Sequence, residues 1–130
     1  MSDVVEAVRS ILINNAGVSA LVGTRVYPFS NPLGTTLPAI RYMRVSEVSS
    51  FETDISTVRI QLTCVSSTSY LHSLSVAAVV RKALNRYKGV VMGVKIERIA
   101  FLTQTDDSDE TAKLFWVSAD YYVTFIYQEV

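Results

Sequence analysis

The sequence predicts an α+β fold: a mostly antiparallel sheet of about four to five strands, with two main helices packed on one face, in the order α-β-β-α-β-β. Three observations carry this. Apolar residues recur at spacings of three and four in two segments, one near the N-terminus and one around residues 70–87. Other segments alternate apolar and polar residues, most clearly at 57–66 and 112–127. Strand segments follow one another in pairs, a step that antiparallel hairpins serve, which leaves the helices to one face. At 130 residues the chain is long enough for one core and is expected to form a single domain over 1–130.

The first helix is expected from Asp3 to Asn15. Asp3 can cap it, and Glu6 stands three residues on, the spacing of a capping box. Val4, Val5, Val8, Ile11 and Leu12 form one apolar stripe. Asn14, Asn15, Ala16 and Gly17 should end it, because Asn and Gly accept the left-handed conformation of a C-cap. A single turn over Val18–Val22 then stops at Gly23, and a short strand, Arg25–Phe29, follows. Pro28, Pro32, Gly34 and Pro38 deny the next segment regular ladder bonds. Leu37 is held extended by Pro38 and leads into a strand over Ala39–Val48. There Ile40, Tyr42 and Arg44 face one way, and Arg41, Met43 and Val45 the other.

Ser49–Ser56 reads as a polar loop carrying Phe51. In the strand Thr57–Ser66, Val58, Ile60, Leu62 and Cys64 alternate with Arg59, Gln61 and Thr63, the pattern of a half-buried strand. Ser67, Thr68 and Ser69 offer a cap for the second helix. It runs to about Tyr87 with Tyr70, Leu74, Ala77, Val80 and Leu84 on its apolar stripe. Arg81, Lys82, Arg86 and Lys88 crowd its end, where cations complement the helix dipole, and Gly89 stops it. Two long strands close the chain, Val90–Thr103 and Ala112–Tyr127. In the second, Phe115, Val117, Ala119, Tyr121, Val123, Phe125 and Tyr127 share one face, and Trp116, Ser118, Asp120, Tyr122, Thr124 and Ile126 the other. Aromatics on both faces predict cover on both, by helices on one side and another subunit on the other.

Composition points the same way. Apolar residues make up 49% and charged residues 18%, against a usual charged share of ~25%; some of the surface is expected to be covered by a partner. Twelve basic and twelve acidic residues leave no net field to draw in nucleic acid. The lone Cys64 lies in an alternating strand and reads as a core residue, and His72 has no acid nearby in sequence. With no phosphate cradle, no nucleophile elbow and no zinc spacing, neither catalysis, metal nor cofactor is expected. Asp120 should pair with Arg41, Arg59 or Arg98.

Asp106, Asp107, Asp109 and Glu110 form the strongest charge cluster, within Thr105–Thr111. The central Gly and distal Glu of a calcium loop are missing, so the cluster reads as a solvated hairpin tip. The basic run that ends the second helix reads as a solvated face rather than a phosphate site. A small-ligand pocket lined by Tyr42, Trp116, Tyr121 and Tyr122 ranks below core and interface roles for these rings. No apolar run approaches the ~20 residues that span a bilayer, and the first residues lack the pattern of a secretory leader. The chain is expected to act in cytoplasm or in a particle assembled there.

Two segments add a resemblance. Leu21–Tyr42, LVGTRVYPFSNPLGTTLPAIRY, carries a VG-x-R-V-Y-P … P-x-G … L-P-x-I skeleton that resembles the opening of the phage tail completion, or tail terminator, family. Asp106–Tyr127, DDSDETAKLFWVSADYYVTFIY, leads from an acidic turn into a long alternating strand, as the family does. The similarity spans nearly the whole chain and departs at Ser66–Ser69, where the family usually has Ala and Asp.

The resemblance implies a curved sheet with helices on one flank. It further implies a virion protein at the head-proximal end of the tail: a homohexameric ring that caps the tube, ends its polymerisation and meets the head-tail connector. DNA would pass the lumen without specific binding, and no membrane is involved. The loops Pro28–Pro38 and Ser49–Ser56 are the expected contact regions, with Tyr27, Phe29, Leu33, Phe51, Trp116 and Tyr122 as candidate subunit or tube contacts. Asp106, Asp107, Asp109 and Glu110 are expected at the lumen or its rim, because carboxylates repel phosphates. The rival role in the same particle is head closure, a neck component or an assembly factor.

Overall fold

A computed structural model of the chain describes residues 3–29, 36–49 and 53–127. Within them the elements are α1 (Val4–Asn14), α2 (Ala16–Val22), β1 (Val26–Pro28), β2 (Ala39–Ser49), β3 (Ser56–Ser66), α3 (Tyr70–Leu84), β4 (Gly89–Val91), β5 (Val94–Asp109) and β6 (Leu114–Tyr127). The strands form one six-stranded sheet in the order β1-β2-β3-β6-β5-β4, curled into a half-barrel. β1 runs parallel to β2, and the other neighbours are antiparallel.

This corrects the expected four to five strands and two main helices in the order α-β-β-α-β-β. The sheet is mixed and has six strands, with three helices, and the order is α-α-β-β-β-α-β-β-β. Two local causes explain most of the difference. Asn15 does not merely stop α1: its side chain accepts the Val18 N–H at 3.1 Å and caps α2. Gly17 therefore lies inside a helix, and a Cβ there would sit 3.2 Å from Val79 Cγ1, so glycine lets α2 approach α3. The strand expected from Val90 is broken by Met92 and Gly93, both at positive φ (51° and 77°). That pair makes a two-residue hairpin turn of the kind that suits strand twist, and it splits β4 from β5.

α1 begins as its sequence requires. Asp3 accepts the Val5 N–H at 3.1 Å, and Val4, Ala7, Val8, Ile11 and Leu12 are buried. α3 is capped by Ser69, which accepts the His72 N–H at 3.1 Å, and it buries Val76, Ala77, Val80 and Leu84. Both helices cover the same face of the sheet. That face presents Ile40, Val58, Ile60, Leu62, Cys64, Val94, Ile96, Ile99, Val117, Ala119, Tyr121, Val123 and Phe125, all buried. At the margin Arg81 lies 3.8 Å from the Phe101 ring centre, and Phe101 meets Tyr121 edge-on at 5.7 Å. One member of the basic run is thus a packed cation–π contact.

The sheet's margins are unevenly closed. β1 stops at Pro28, opposite Tyr42, while β2 continues to Ser49. β4 pairs only with Val94–Ile96, and Asn85 and Arg86 then cover β5 through the Phe101 N–H and the Ile99 carbonyl. From Leu102 onward β5 is exposed along its length.

Candidate functional site

The helix-free face of the sheet carries the polar chemistry. Strand register sets Arg41 of β2, Thr63 of β3, Ser118 of β6 and Thr105 of β5 in one transverse row. Paired residues in adjacent strands point to the same side, so this row faces away from the helices. Thr63 and Ser118 share a hydrogen bond of 3.0 Å between their hydroxyls. One position along, Asp120 Oδ2 accepts from Arg59 Nε at 2.8 Å and Nη2 at 2.6 Å, and Oδ1 accepts from Gln61 Nε2 at 3.2 Å. Arg59 is thus the partner among the three arginines considered from sequence. Asp120 is only 5% exposed and Thr63 7%, although none of the described helices lies over them.

The residues singled out from sequence divide between surfaces. Tyr27 pairs in register with Arg41. Phe29 is 71% exposed and has φ of 62°, an uncommon conformation for a bulky residue. Its N–H donates to the Tyr42 carbonyl at 2.9 Å, which holds the turn. A groove of about 320 Å³ opens beside it, lined by Val5, Pro28, Tyr42, Met43 and Arg44. Trp116 is half-buried and Tyr122 exposed, both on the helix-free face. Leu33 and Phe51 lie outside the described residues. The four rings proposed for a ligand pocket do not converge: Tyr42 and Tyr121 belong to the helix side, Trp116 and Tyr122 to the other.

The acidic cluster is more strand than loop. Asp106, Asp107 and Asp109 belong to β5, opposite Val117, Trp116 and Leu114, and Glu110 opens the turn to β6. Alternation splits the carboxylates. Asp106 points to the helix side, where the Tyr70 hydroxyl donates to it; that hydrogen bond, with some desolvation, raises the Tyr70 pKa. Asp107 and Asp109 share the other side with Trp116 and Leu114. Asp107 accepts its neighbour Ser108 N–H at 2.7 Å, and Asp109 the Ala112 N–H at 3.1 Å, bonds that shape the turn.

Groups that could serve chemistry are otherwise engaged. Burial pushes the Cys64 thiol up to about 12, so it holds its proton at neutral pH. His72 Nδ1 lies 2.6 Å from Ser66 Oγ, at the start of α3. Among the described residues no three His, Cys, Asp or Glu side chains gather at metal-binding range.

Residues 6–125 match the family described as "Tail completion protein gp17". The chain belongs to that family. This tail completion protein is therefore a structural phage tail protein. No curated protein matches it. Its fold is similar to that of a chain in the solved structure titled "Virion of native gene transfer agent (GTA) particle", with a TM-score of 0.76 and 19% identity, covering 93% of this chain and 92% of that one. At that identity the likeness speaks for the fold. The sequence alone could not find the Arg41–Thr105 row, because it depends on strand register across four strands.

Proposed function

We propose that this tail completion protein caps the tail tube as a ring of identical subunits, six in number, ends tube polymerisation and forms the joint to the head connector. Family membership over residues 6–125 carries the reading. The surface supports it. Phe29, Val48 and Leu71 are 70% or more exposed, and apolar side chains of this kind are what a neighbouring subunit can cover. The sheet's two margins differ in sequence and shape, as a heterologous contact between identical copies requires. The protein works at the head-proximal end of the tail in the virion, after assembly in the host cytoplasm, and as a scaffold rather than an enzyme. Tyr27, Phe29, Trp116 and Tyr122 contribute contacts to neighbours or tube. The acidic end of β5 stands at the rim of the lumen, where carboxylates keep passing DNA from adhering.

Electron microscopy of particles made without the protein tests this. Overlong tails are expected. Tails of normal length that fail to join heads would instead assign it to the neck.

A further inference from the structure

A niche of about 260 Å³ opens on the helix-free face, lined by Phe29, Arg41, Met43, Gln61, Thr63 and Trp116 among others. Arg41 Nε is buried there and has no hydrogen-bond partner. An unmet buried donor is costly, more so in a charged group. The carboxylate that β6 offers on this face, Asp120, is occupied by Arg59 and Gln61. Half-buried Arg41 thus lines the niche with a guanidinium whose Nε lacks an acceptor, beside Phe29 and Trp116.

We propose that a carboxylate from the acidic hairpin of a second copy fills this niche, with Asp107 of that copy seated against Arg41 while Asp106, Asp109 and Glu110 stay at the lumen rim. The inference rests on the ring reading above and names the contact that would join its subunits. Three observations select the occupant. Asp107, Asp109 and Glu110 are exposed and form no ion pair among the described residues. Asp107 lies on the same face as Arg41 but toward the opposite margin: Arg41, one strand in from the β1 edge, and Thr105 share one transverse row, and Asp107 is two residues beyond Thr105. Three strand spacings of ~4.8 Å separate Arg41 from Thr105 by ~14 Å, so Asp107 cannot reach Arg41 within one copy. Placing the β5 margin of one copy against the β1–β2 margin of the next brings them together. Such a head-to-tail contact repeats and closes into a ring when the rotation allows. The chain is formally neutral, so copies approach without net repulsion, and the two patches steer each other. A planar guanidinium and a carboxylate also match in geometry.

The test uses Arg41→Cys and Asp107→Cys in cells that assemble the particle, with a short bis-maleimide; native Cys64 is buried. The double variant should give a ladder of multimers, and a mixture of the two single variants should give dimers and nothing longer. In parallel, Arg41→Glu should weaken self-association about tenfold or more, and adding Asp107→Arg to the same chain should restore it. A double variant that stays monomeric while a lysine-reactive linker still yields multimers overturns this contact and leaves the ring intact. Failure of both linkers removes the ring and the contact together. If Arg41→Glu loses DNA affinity while the lysine-reactive linker still yields the same multimers from it, the niche serves phosphate and the proposal is wrong.

Discussion

Replacing Arg59 with Ala probes what holds the helix-free face together. Arg59 gives two hydrogen bonds to one oxygen of Asp120, and Gln61 gives a longer one to the other. The Asp120 side chain is 7% exposed and that of Arg59 34%. Without the guanidinium, the shielded carboxylate keeps the Gln61 amide alone. Breaking a fully buried pair costs ~3–5 kcal/mol, while exposed pairs are worth ~0.2–1 kcal/mol. With one partner buried and the other a third exposed, about 2 kcal/mol is expected. At ~2.1 cal/mol/K per residue, the unfolding entropy of the chain is about 270 cal/mol/K, so Tm should fall by about 7 °C. Arg59→Met with Asp120→Leu removes both charges and should recover most of the loss. Urea and thermal unfolding at neutral pH measure both, at a dilution where association does not stabilise the fold. An Arg59→Ala protein within about 0.5 kcal/mol of wild type would show that Asp120 does not depend on Arg59, and the account of this face would fall.

Other expectations follow from single groups. The Tyr121 hydroxyl is buried without a partner, and burial, chiefly, raises its pKa; Tyr121→Phe should be neutral or stabilise by up to about 1 kcal/mol in urea unfolding, and a loss of that size would reveal a hidden acceptor. Cys64, held protonated near pH 8 by burial, should resist a thiol reagent in the native protein and react fully in urea; rapid native labelling would contradict its place in the core. Asp3 is pushed up by partial burial, but the Arg44 and Val5 hydrogen bonds outweigh this and leave its pKa below the ordinary 3.8. Its contribution is therefore present above pH 3.8 and lost as the pH falls through the depressed value. Asp3→Ala should cost about 1 kcal/mol at neutral pH, as lost N-caps do, and the gap to wild type should narrow under acid. A gap that widens would mean that Asp3 acts otherwise.

Much of the fold was legible in local pattern. The two faces of β6 follow from strict alternation, and burial respects it: Val117, Ala119, Tyr121, Val123 and Phe125 are in the core. Asp3 and Ser69 cap the helices they precede. What misled were residues with two uses. Asn15 suits a C-cap and an N-cap equally, and only the packing of α2 against α3 through Gly17 decides between them. Met92 is no turn residue by propensity, so Gly93 alone marked the hairpin between β4 and β5. The parallel pairing of β1 has no sequence signature in three residues. Asp106 to Asp109 have the composition of a loop, yet they pair with β6 and extend the ladder.

That extension bears on how the uncovered margin of a sparsely charged chain is protected. An uncovered strand invites pairing with any other strand, and charges along it discourage the wrong ones. β5 carries three aspartates over its uncovered length, so two such margins repel each other and an edge-to-edge dimer of like with like is disfavoured. The same charges leave one favourable approach, toward a margin bearing an unsatisfied cation. Arg41 supplies that cation, and its Nε is buried without a partner. Negative charge along one margin, and a cation on the strand beside the other, disfavour the symmetric contact and suit the head-to-tail one that the proposed ring requires.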